Sequence, residues 1–569
     1  MSADDTDDRL EVWCAGEEWC PITATATILG KKWHPVIIHR LIAEERGFND
    51  LQRAVDGISS KVLSDSLEQL EDHGLVAREV VSEKPFRVEY SVTERGASLE
   101  PVIESMREWG RRIWPPRSNC RDRPLFVPWP HTWGMADLTL PDHPTPPEGA
   151  DDVWLHCIEC SHTLPPFNDV VFTCPECDGL LEVRYAEYPT FDDFAGDERV
   201  WRYSAALPFE AGVSLPEGGT QLHEVPRLEA DLGVRNLRVK HEGMNPTGSF
   251  KDRGMTVGVR VAQELDVDRL ACASTGNTSA ALAAYGARAG LETLVLLPEG
   301  KVAAGKIAQA SLHGARILEV EGNFDDCLDR VQDLANRGEA YLLNSLNPYR
   351  LEGQKTIGLE ILERFRNEEG RFPDRIVLPV GNAGNTAALY KCFRELVQSG
   401  ALAPGDVPKL TGVQAEGAAP MVEAIREGND ETRRWEEVET IATAIRIGNP
   451  VNAPKALPGI RETGGTAVAV SDEEITEAQR DLAGEGIGVE PASAASVAGL
   501  RKLVASGEVS TGEDVVCLTT GHLLKDPDAA AAAGNAPEGV PNGTDDILRH
   551  LAGKSVGGSG LLGLLRRLL

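Results

Sequence analysis

One lysine stands in a context suited to covalent chemistry. Lys251 follows the small-residue turn of HEGMNPTGSFKDRG (residues 241–254) and opens a helical pattern. Such a lysine presents its amine into a cleft, where burial lowers its basicity and leaves a nucleophile able to condense with a carbonyl. STGNTSAA (274–281) follows the strand-like run LACA and starts a helix, so its amides and hydroxyls can hold a carboxylate. GNAGNTAA (381–388) repeats that geometry after RIVLPV, and its glycines let backbone N–H groups close on a phosphate. VCLTTGH (516–522) ends a strand at Thr520-Gly521. Lysine, amide turn, phosphate nest and strand-end hydroxyl are the parts that hold pyridoxal phosphate. In NSLNPYRLEGQKT (344–356), Asn344, Ser345 and Arg350 offer an amide, a hydroxyl and a guanidinium, a set suited to a second phosphate.

A second group is built of thiols. Cys157, Cys160, Cys174 and Cys177 form CxxC–x13–CxxC. Two pairs on tight turns can converge on a tetrahedral Zn²⁺ in a closed structural site, the plan of a zinc ribbon, with redox or disulfide use as the alternative. So small a segment buries little core, and the metal would supply its folding energy. The other cysteines are scattered and suggest a reducing compartment.

These groups need elements to carry them, and the chain of 569 residues is long enough for several domains. Residues 1–9 read as an acidic tail, 10–115 as helices and a hairpin, and 116–150 as a Pro/Asp-rich linker. Residues 151–185 hold the cysteine module. From 186 to 527, β-like runs (LRVKHEG, RLACAST, ETLVLLP, RIVLPVG, DVVCLTTG) alternate with helical patterns, which predicts an α/β domain with a largely parallel sheet. Residues 528–569 read as a spacer and an amphipathic tail. No apolar run approaches the length of a membrane span, and MSADDTDDR lacks the parts of a secretory signal, so a soluble cytoplasmic protein is expected.

The net charge is −32, with about 15 Lys against about 42 Arg. An acidic, lysine-poor surface suits a protein working in concentrated salt, as in a halophile, where self-repulsion is screened. Taken alone, that charge argues against nucleic-acid binding.

The N-terminal unit opposes that inference. FNDLQRAV (48–55), a turn at Gly57 and the helix KVLSDSLEQLEDHGLV, with Val62, Leu63, Leu67 and Leu70 at helical spacing, form a helix-turn-helix. A hairpin follows over 78–93, turning at Glu83-Lys84-Pro85, which completes a winged helix-turn-helix whose second helix would enter a major groove. WCPITATATILGKKW, that helix pair, YSVTERG and ESMREWG together resemble the HxlR-type regulators over residues 10–112. The resemblance implies a homodimer that binds double-stranded DNA. Lys61 on the reading helix and Arg78, Lys84 and Arg87 on the wing are the phosphate-contact candidates. Residues 10–115 carry about 13 basic and 18 acidic residues, so dimerisation or ligand sensing without DNA stands as the rival. Cys20 occupies the place of a redox-sensing cysteine in some relatives, and Cys14 lies six residues earlier.

Residues 155–527 resemble the fold-type II pyridoxal-phosphate enzymes, and closely the threonine synthases, with IRIGNPVN (445–452), EPASAAS (490–496) and TTGHLLKDP (519–527) adding to the match. The resemblance implies that Lys251 carries the cofactor, Asn277 bonds its ring oxygen and Thr520 faces its pyridine nitrogen. Its phosphate would lie on the backbone of Gly381, Asn382, Ala383, Gly384 and Asn385. Ser274, Thr275 and Thr278 would hold the substrate carboxylate, and Asn344, Ser345 and Arg350 the phosphate of O-phospho-L-homoserine. The implied reaction is β,γ-replacement to L-threonine and phosphate. The alternatives are a threonine dehydratase or cysteate synthase of the same fold, or a transcription regulator whose enzyme-like half senses a metabolite. The expected fold is therefore multidomain: a winged helix-turn-helix, a zinc-ribbon-like module and an α/β fold-type II domain.

Overall fold

The computed structural model describes residues 33–55, 60–83, 86–103, 152–197, 199–300 and 304–554, and the chain folds as two units, Met1–His131 and Thr132–Leu569. In the first unit α1 (His34–Ala43), β1 (Arg46–Gly47), α2 (Phe48–Ala54) and α3 (Ser60–Asp72) precede a hairpin of β2 (Val76–Glu83) and β3 (Phe86–Val92), then α4 (Glu94–Ala97). Ile37, Ile38 and Leu41 of α1 meet Leu51 of α2 and Leu63, Leu67 and Leu70 of α3 in one buried cluster. Gly74, at φ +65°, lets the chain reverse from α3 into β2. The three strands form an antiparallel sheet in the order β1-β3-β2. Helix-turn-helix and wing thus stand where the apolar spacing places them.

The second unit begins with a small antiparallel sheet, β5-β4-β6, built of β4 (Val153–Cys157), β5 (Thr163–Leu164) and β6 (Leu181–Tyr185). Two equivalent knuckles interrupt it. Ser161 and Asp178, each just after the second Cys of a pair, take φ of +62° and +58°. Their amides donate to the carbonyls of Cys157 and Cys174 at 3.1 and 2.9 Å.

Beyond the module lie two sheets. The larger has the order β15-β14-β13-β16-β8-β7, from β7 (Leu222–Glu224), β8 (Asn236–His241), β13 (Arg375–Pro379), β14 (Lys409–Ala415), β15 (Thr466–Val470) and β16 (Asp514–Thr519). All pairings are parallel except β7 with β8. The smaller sheet is wholly parallel in the order β11-β10-β9-β12, from β9 (Arg269–Ala273), β10 (Glu292–Pro298), β11 (Arg316–Val320) and β12 (Tyr341–Leu342).

The helices of this unit are α5 (Pro226–Leu232), α6 (Lys251–Glu264), α7 (Asn277–Ala289), α8 (Ala304–Leu312), α9 (Phe324–Asn336), α10 (Pro348–Glu369) and α11 (Gly384–Gln398). They continue with α12 (Pro420–Glu427), α13 (Ala453–Glu462), α14 (Asp472–Gly484), α15 (Pro491–Ala505), α16 (Pro527–Ala533) and α17 (Thr544–Lys554). One face of the large sheet packs on α10, α11 and α13, and the other on α5, α14 and α15. The core of the small sheet is continuous with the apolar residues of the cysteine module, including Leu155, Leu181 and Val183. Module and α/β layers therefore share one folded unit. Among the described residues no helix is long and apolar enough to cross a membrane.

Candidate active site

The loops singled out in the sequence all leave the C-terminal ends of parallel strands, the edge at which open α/β sheets place ligands. Lys251 is the first residue of α6. Its turn is laced to the end of β16: the Phe250 amide donates to Thr520 O at 3.0 Å and the His522 amide to Gly248 O at 2.9 Å. On the helical side, Asp252 accepts from the Thr247 amide at 2.7 Å. Arg253 is wholly buried and forks between Glu242 and Glu360, each at 2.6 Å. The backbone on both sides of Lys251 is thereby fixed, while its own amine makes no hydrogen bond among the described residues and lies 4.2 Å from the centroid of the Phe250 ring. Burial, with the positive charge of Arg350 adding to it and Glu490 opposing, pulls the Lys251 amine down to about 7. A nucleophilic neutral amine is then well populated near neutrality.

The loop between β13 and α11 has the shape to cradle an anion. Ala383 takes the left-handed conformation at φ +60° and caps α11, whose first amides face out of the helix. Asn385 Oδ1, Thr386 Oγ1 and Gln354 Oε1 are buried without a hydrogen-bonding partner among the described residues. A Cβ on Gly384 would lie 3.2 Å from Gln354 Oε1, so glycine keeps this wall close. The Asn452 amide donates to Asn382 O at 3.1 Å and closes the far side. Unmatched polar groups around a helix N-terminus fit a phosphate ester, as the cofactor requires.

A polar frame stands beside the lysine turn. Asn277 opens α7, and its Nδ2 donates to both oxygens of Glu490 at 3.1 and 3.2 Å. Ser493 Oγ accepts from the amides of Thr520 and Gly521 at 2.9 and 2.8 Å and stands 2.9 Å from Thr520 Oγ1. Sequence reasoning had Asn277 and Thr520 but overlooked Glu490, Ser493, Gln354 and Asn452. The signal was available, since Glu490 and Ser493 both lie in EPASAAS and Asn452 in IRIGNPVN.

Arg350 stands in the first turn of α10, almost wholly buried, with all three guanidinium nitrogens unpaired among the described residues. Burial draws it down to about 10. A buried cation without a partner is costly, so this position is built for an anion. Asn344 and Ser345 precede it. The Asn344 side chain is engaged in both directions with Ala273, accepting from its amide and donating to its carbonyl at 3.1 Å. Asn344 thus ties the loop of α10 to the end of β9, and Ser345 O accepts from Asn452 Nδ2 at 3.0 Å. Ser274, Thr275 and Thr278 are half-buried along the turn that opens α7, where Ser274 Oγ accepts from the Gly276 amide at 3.3 Å.

Elsewhere, the sulfurs of Cys157, Cys160, Cys174 and Cys177 all lie within 4.8 Å of one another, with Cys157–Cys177 at 3.5 Å and Cys160–Cys174 at 3.6 Å. Tetrahedral thiolate ligands of zinc stand about 3.8 Å apart, so the donor set fits that ion. On the first unit Arg78 is exposed on β2. Lys84, Cys14 and Cys20, and the side chains of Lys61 and Arg87, lie outside the described residues, as do residues 116–150.

Lysine, phosphate cradle and polar frame define a pyridoxal-phosphate enzyme, and residues 213–521 match the family model described as "Pyridoxal-phosphate dependent enzyme". Residues 28–118 match that of the "HxlR-like helix-turn-helix". Threonine synthase of Methanosarcina acetivorans is 56% identical over 407 residues, covering 70% of this chain and 99% of that protein. Threonine synthase of Methanocaldococcus jannaschii is 54% identical over 392 residues, covering 67% and 95%. The chain belongs to the threonine synthase family of pyridoxal-phosphate enzymes. Among solved structures, threonine deaminase isoform 2 from Solanum lycopersicum is 23% identical over 56% of this chain and 88% of that one, with a TM-score of 0.47.

Proposed function

We propose that this protein is a threonine synthase, converting O-phospho-L-homoserine and water to L-threonine and phosphate, joined to a DNA-binding winged helix. The observation that carries the enzymatic reading is the pair formed by a free, weakly basic Lys251 amine and an unpaired buried Arg350 guanidinium near it. The first matches a carbonyl cofactor, and the second a substrate that brings its own phosphate.

Bound pyridoxal phosphate supplies the electron sink that makes the substrate's Cα and Cβ protons removable. The chain does the rest. The backbone of Gly381, Asn382, Ala383, Gly384 and Asn385 would hold the cofactor phosphate, Asn277 its ring oxygen and Thr520 its ring nitrogen. Ser274, Thr275 and Thr278 hold the substrate carboxylate, and Arg350 with Ser345 holds the substrate phosphate while Asn344 fixes their loop. Lys251 Nζ takes the proton from Cα. A proton is then lost from Cβ as the Cγ–O bond breaks and the phosphate departs. Cγ gains a proton to become the methyl group, water gives its hydroxyl to Cβ and its proton to the phosphate, and Lys251 returns a proton to Cα. Capture of the leaving group by Arg350 orients Cγ and disfavours substrates without a phosphate.

The four cysteines hold a structural Zn²⁺. Lys61, Arg78, Lys84 and Arg87 contact DNA phosphates in a dimer of this chain, in a cytoplasm whose salt the acidic surface is suited to. The enzymatic reading is tested by incubating the pyridoxal-phosphate-loaded protein in concentrated salt with O-phospho-L-homoserine or homoserine. Phosphate and threonine should appear together, and only from the first. Consumption of homoserine at a similar rate would contradict it.

A further inference from the structure

The cysteine module reaches the helix that carries Arg350. With no hydrogen-bonding partner among the described residues, that guanidinium depends for its orientation on the backbone of α10 and on its walls. The module grips α10 on both sides of it. The Tyr349 hydroxyl donates to Pro166 O, and the Tyr349 ring stacks on Phe167 with centroids 5.8 Å apart. Two residues past Arg350, buried Glu352 accepts from the hydroxyl of Tyr185, at the end of β6, at 2.6 Å. Lys355 donates to the same oxygen at 2.6 Å. The rest of β6 is fastened to the α/β layers, with Arg394 on Glu182 and Lys455 on Leu181 O, both at 2.6 Å. Buried polar networks of this kind hold one geometry because any alternative leaves a charge unmatched.

We infer that the four-cysteine module is a positioning clamp for Arg350, gripping α10 at Tyr349 and Glu352 so that the unpaired guanidinium meets a phosphorylated ligand in one place. The inference rests on the reading of Arg350 as the residue that holds the substrate phosphate. It gives the module a part in substrate affinity, beyond that of a self-contained metal knot.

The test uses the full-length, cofactor-loaded protein and inorganic phosphate as the probe, with binding read from cofactor fluorescence. Wild type is compared with Arg350→Ala, Tyr185→Phe, the double variant Tyr185→Phe/Tyr349→Phe, and Tyr203→Phe. The last loses a similar tyrosine–carboxylate bond, to Glu363 on the same helix at 2.8 Å but far along it from Arg350. The double variant should weaken phosphate about tenfold and raise KM for O-phospho-L-homoserine in step, with kcat and cofactor affinity near wild type. Tyr185→Phe alone should weaken phosphate about threefold, which keeps the test open if the double variant does not fold. Tyr203→Phe should bind phosphate like wild type. Wild-type phosphate affinity in the folded tyrosine variants, an equal loss in Tyr203→Phe, or an equal loss of cofactor would overturn the clamp. Unchanged phosphate affinity in Arg350→Ala would overturn the reading beneath it, and the clamp with it.

Discussion

Asn277 and Glu490 meet across the site from two different layers: the amide nitrogen at the start of α7 donates to both carboxylate oxygens of the residue that caps α15, at 3.1 and 3.2 Å. Gly521 lies against that carboxylate so closely that a Cβ there would stand 2.5 Å from Glu490 Oε1. Thr520 Oγ1 is 3.5 Å from the same oxygen. Glu490 therefore fixes which way the Asn277 amide turns. Burial pushes the Glu490 carboxyl up, against the bond from Asn277 and the charges of Lys525 and Lys251.

Glu490→Gln should consequently loosen Asn277 without unfolding the chain. The expected loss is about tenfold in cofactor affinity, the scale of one hydrogen bond to a charged group. Fluorescence titration of the apoprotein with pyridoxal phosphate measures it. Unaltered affinity together with an unaltered cofactor absorption spectrum would remove Glu490 from the site.

The lowered Lys251 amine predicts a pH dependence in two observables. Uptake of pyridoxal phosphate by the apoprotein, followed by the absorbance of the lysine-bound cofactor, should rise through a midpoint near 7 and level off, instead of climbing through the ordinary lysine range. Stability follows by linkage. Above about 7 the folded amine has released its proton while the unfolded one keeps it, so the cost of burying the charge is greatest at low pH. Lys251→Met should raise the Tm of the apoprotein most below pH 7, with the gain fading as the pH climbs toward the ordinary lysine range. A gain independent of pH would contradict the shift.

α6 and α10 carry Lys251 and Arg350, and they touch at a glycine. A Cβ on Gly353 would lie 1.8 Å from Arg253 O, a backbone atom that cannot swing away. Gly353→Ala must push the helices apart, for a loss of about 1–3 kcal/mol. Thermal unfolding should show the drop, and both KM and kcat should worsen because the two groups move relative to each other. An unchanged Tm would mean the interface is more yielding than its geometry implies.

The metal reading is checked by elemental analysis of the purified chain. One zinc per chain is expected, with a clear fall in Cys160→Ser and a lower Tm after chelation. Metal-free protein with four freely titrating thiols would contradict it.

Much of this was legible in the sequence because fully buried parallel strands are written as apolar runs. RIVLP of β13 and DVVCLT of β16 are buried along their length, and each was visible with the loop that follows it. RILEV of β11 and TAVAV of β15 lie at sheet edges with mixed burial. Lys251, the loop over 381–385 and Arg350 stand out in the sequence because small residues and a helix start mark each one. Glu490 and Ser493 do not, because their partners Asn277 and Thr520 are brought to them only by the packing of α15 against the sheet. Asn344 was expected to face a ligand, whereas its amide is committed to the backbone of Ala273. The attachment of the cysteine module to α10 had no local signature either, since Tyr185 and Glu352 are 167 residues apart.

The most direct measurement is the formation of L-threonine and phosphate from O-phospho-L-homoserine by wild type and Lys251→Ala, each supplied with pyridoxal phosphate in concentrated salt. The wild type should release the two products in equal amounts, and the variant, folded by circular dichroism, should release neither at a measurable rate. Turnover that survives loss of the lysine, or a cofactor-loaded wild type that leaves the substrate untouched, would contradict the account.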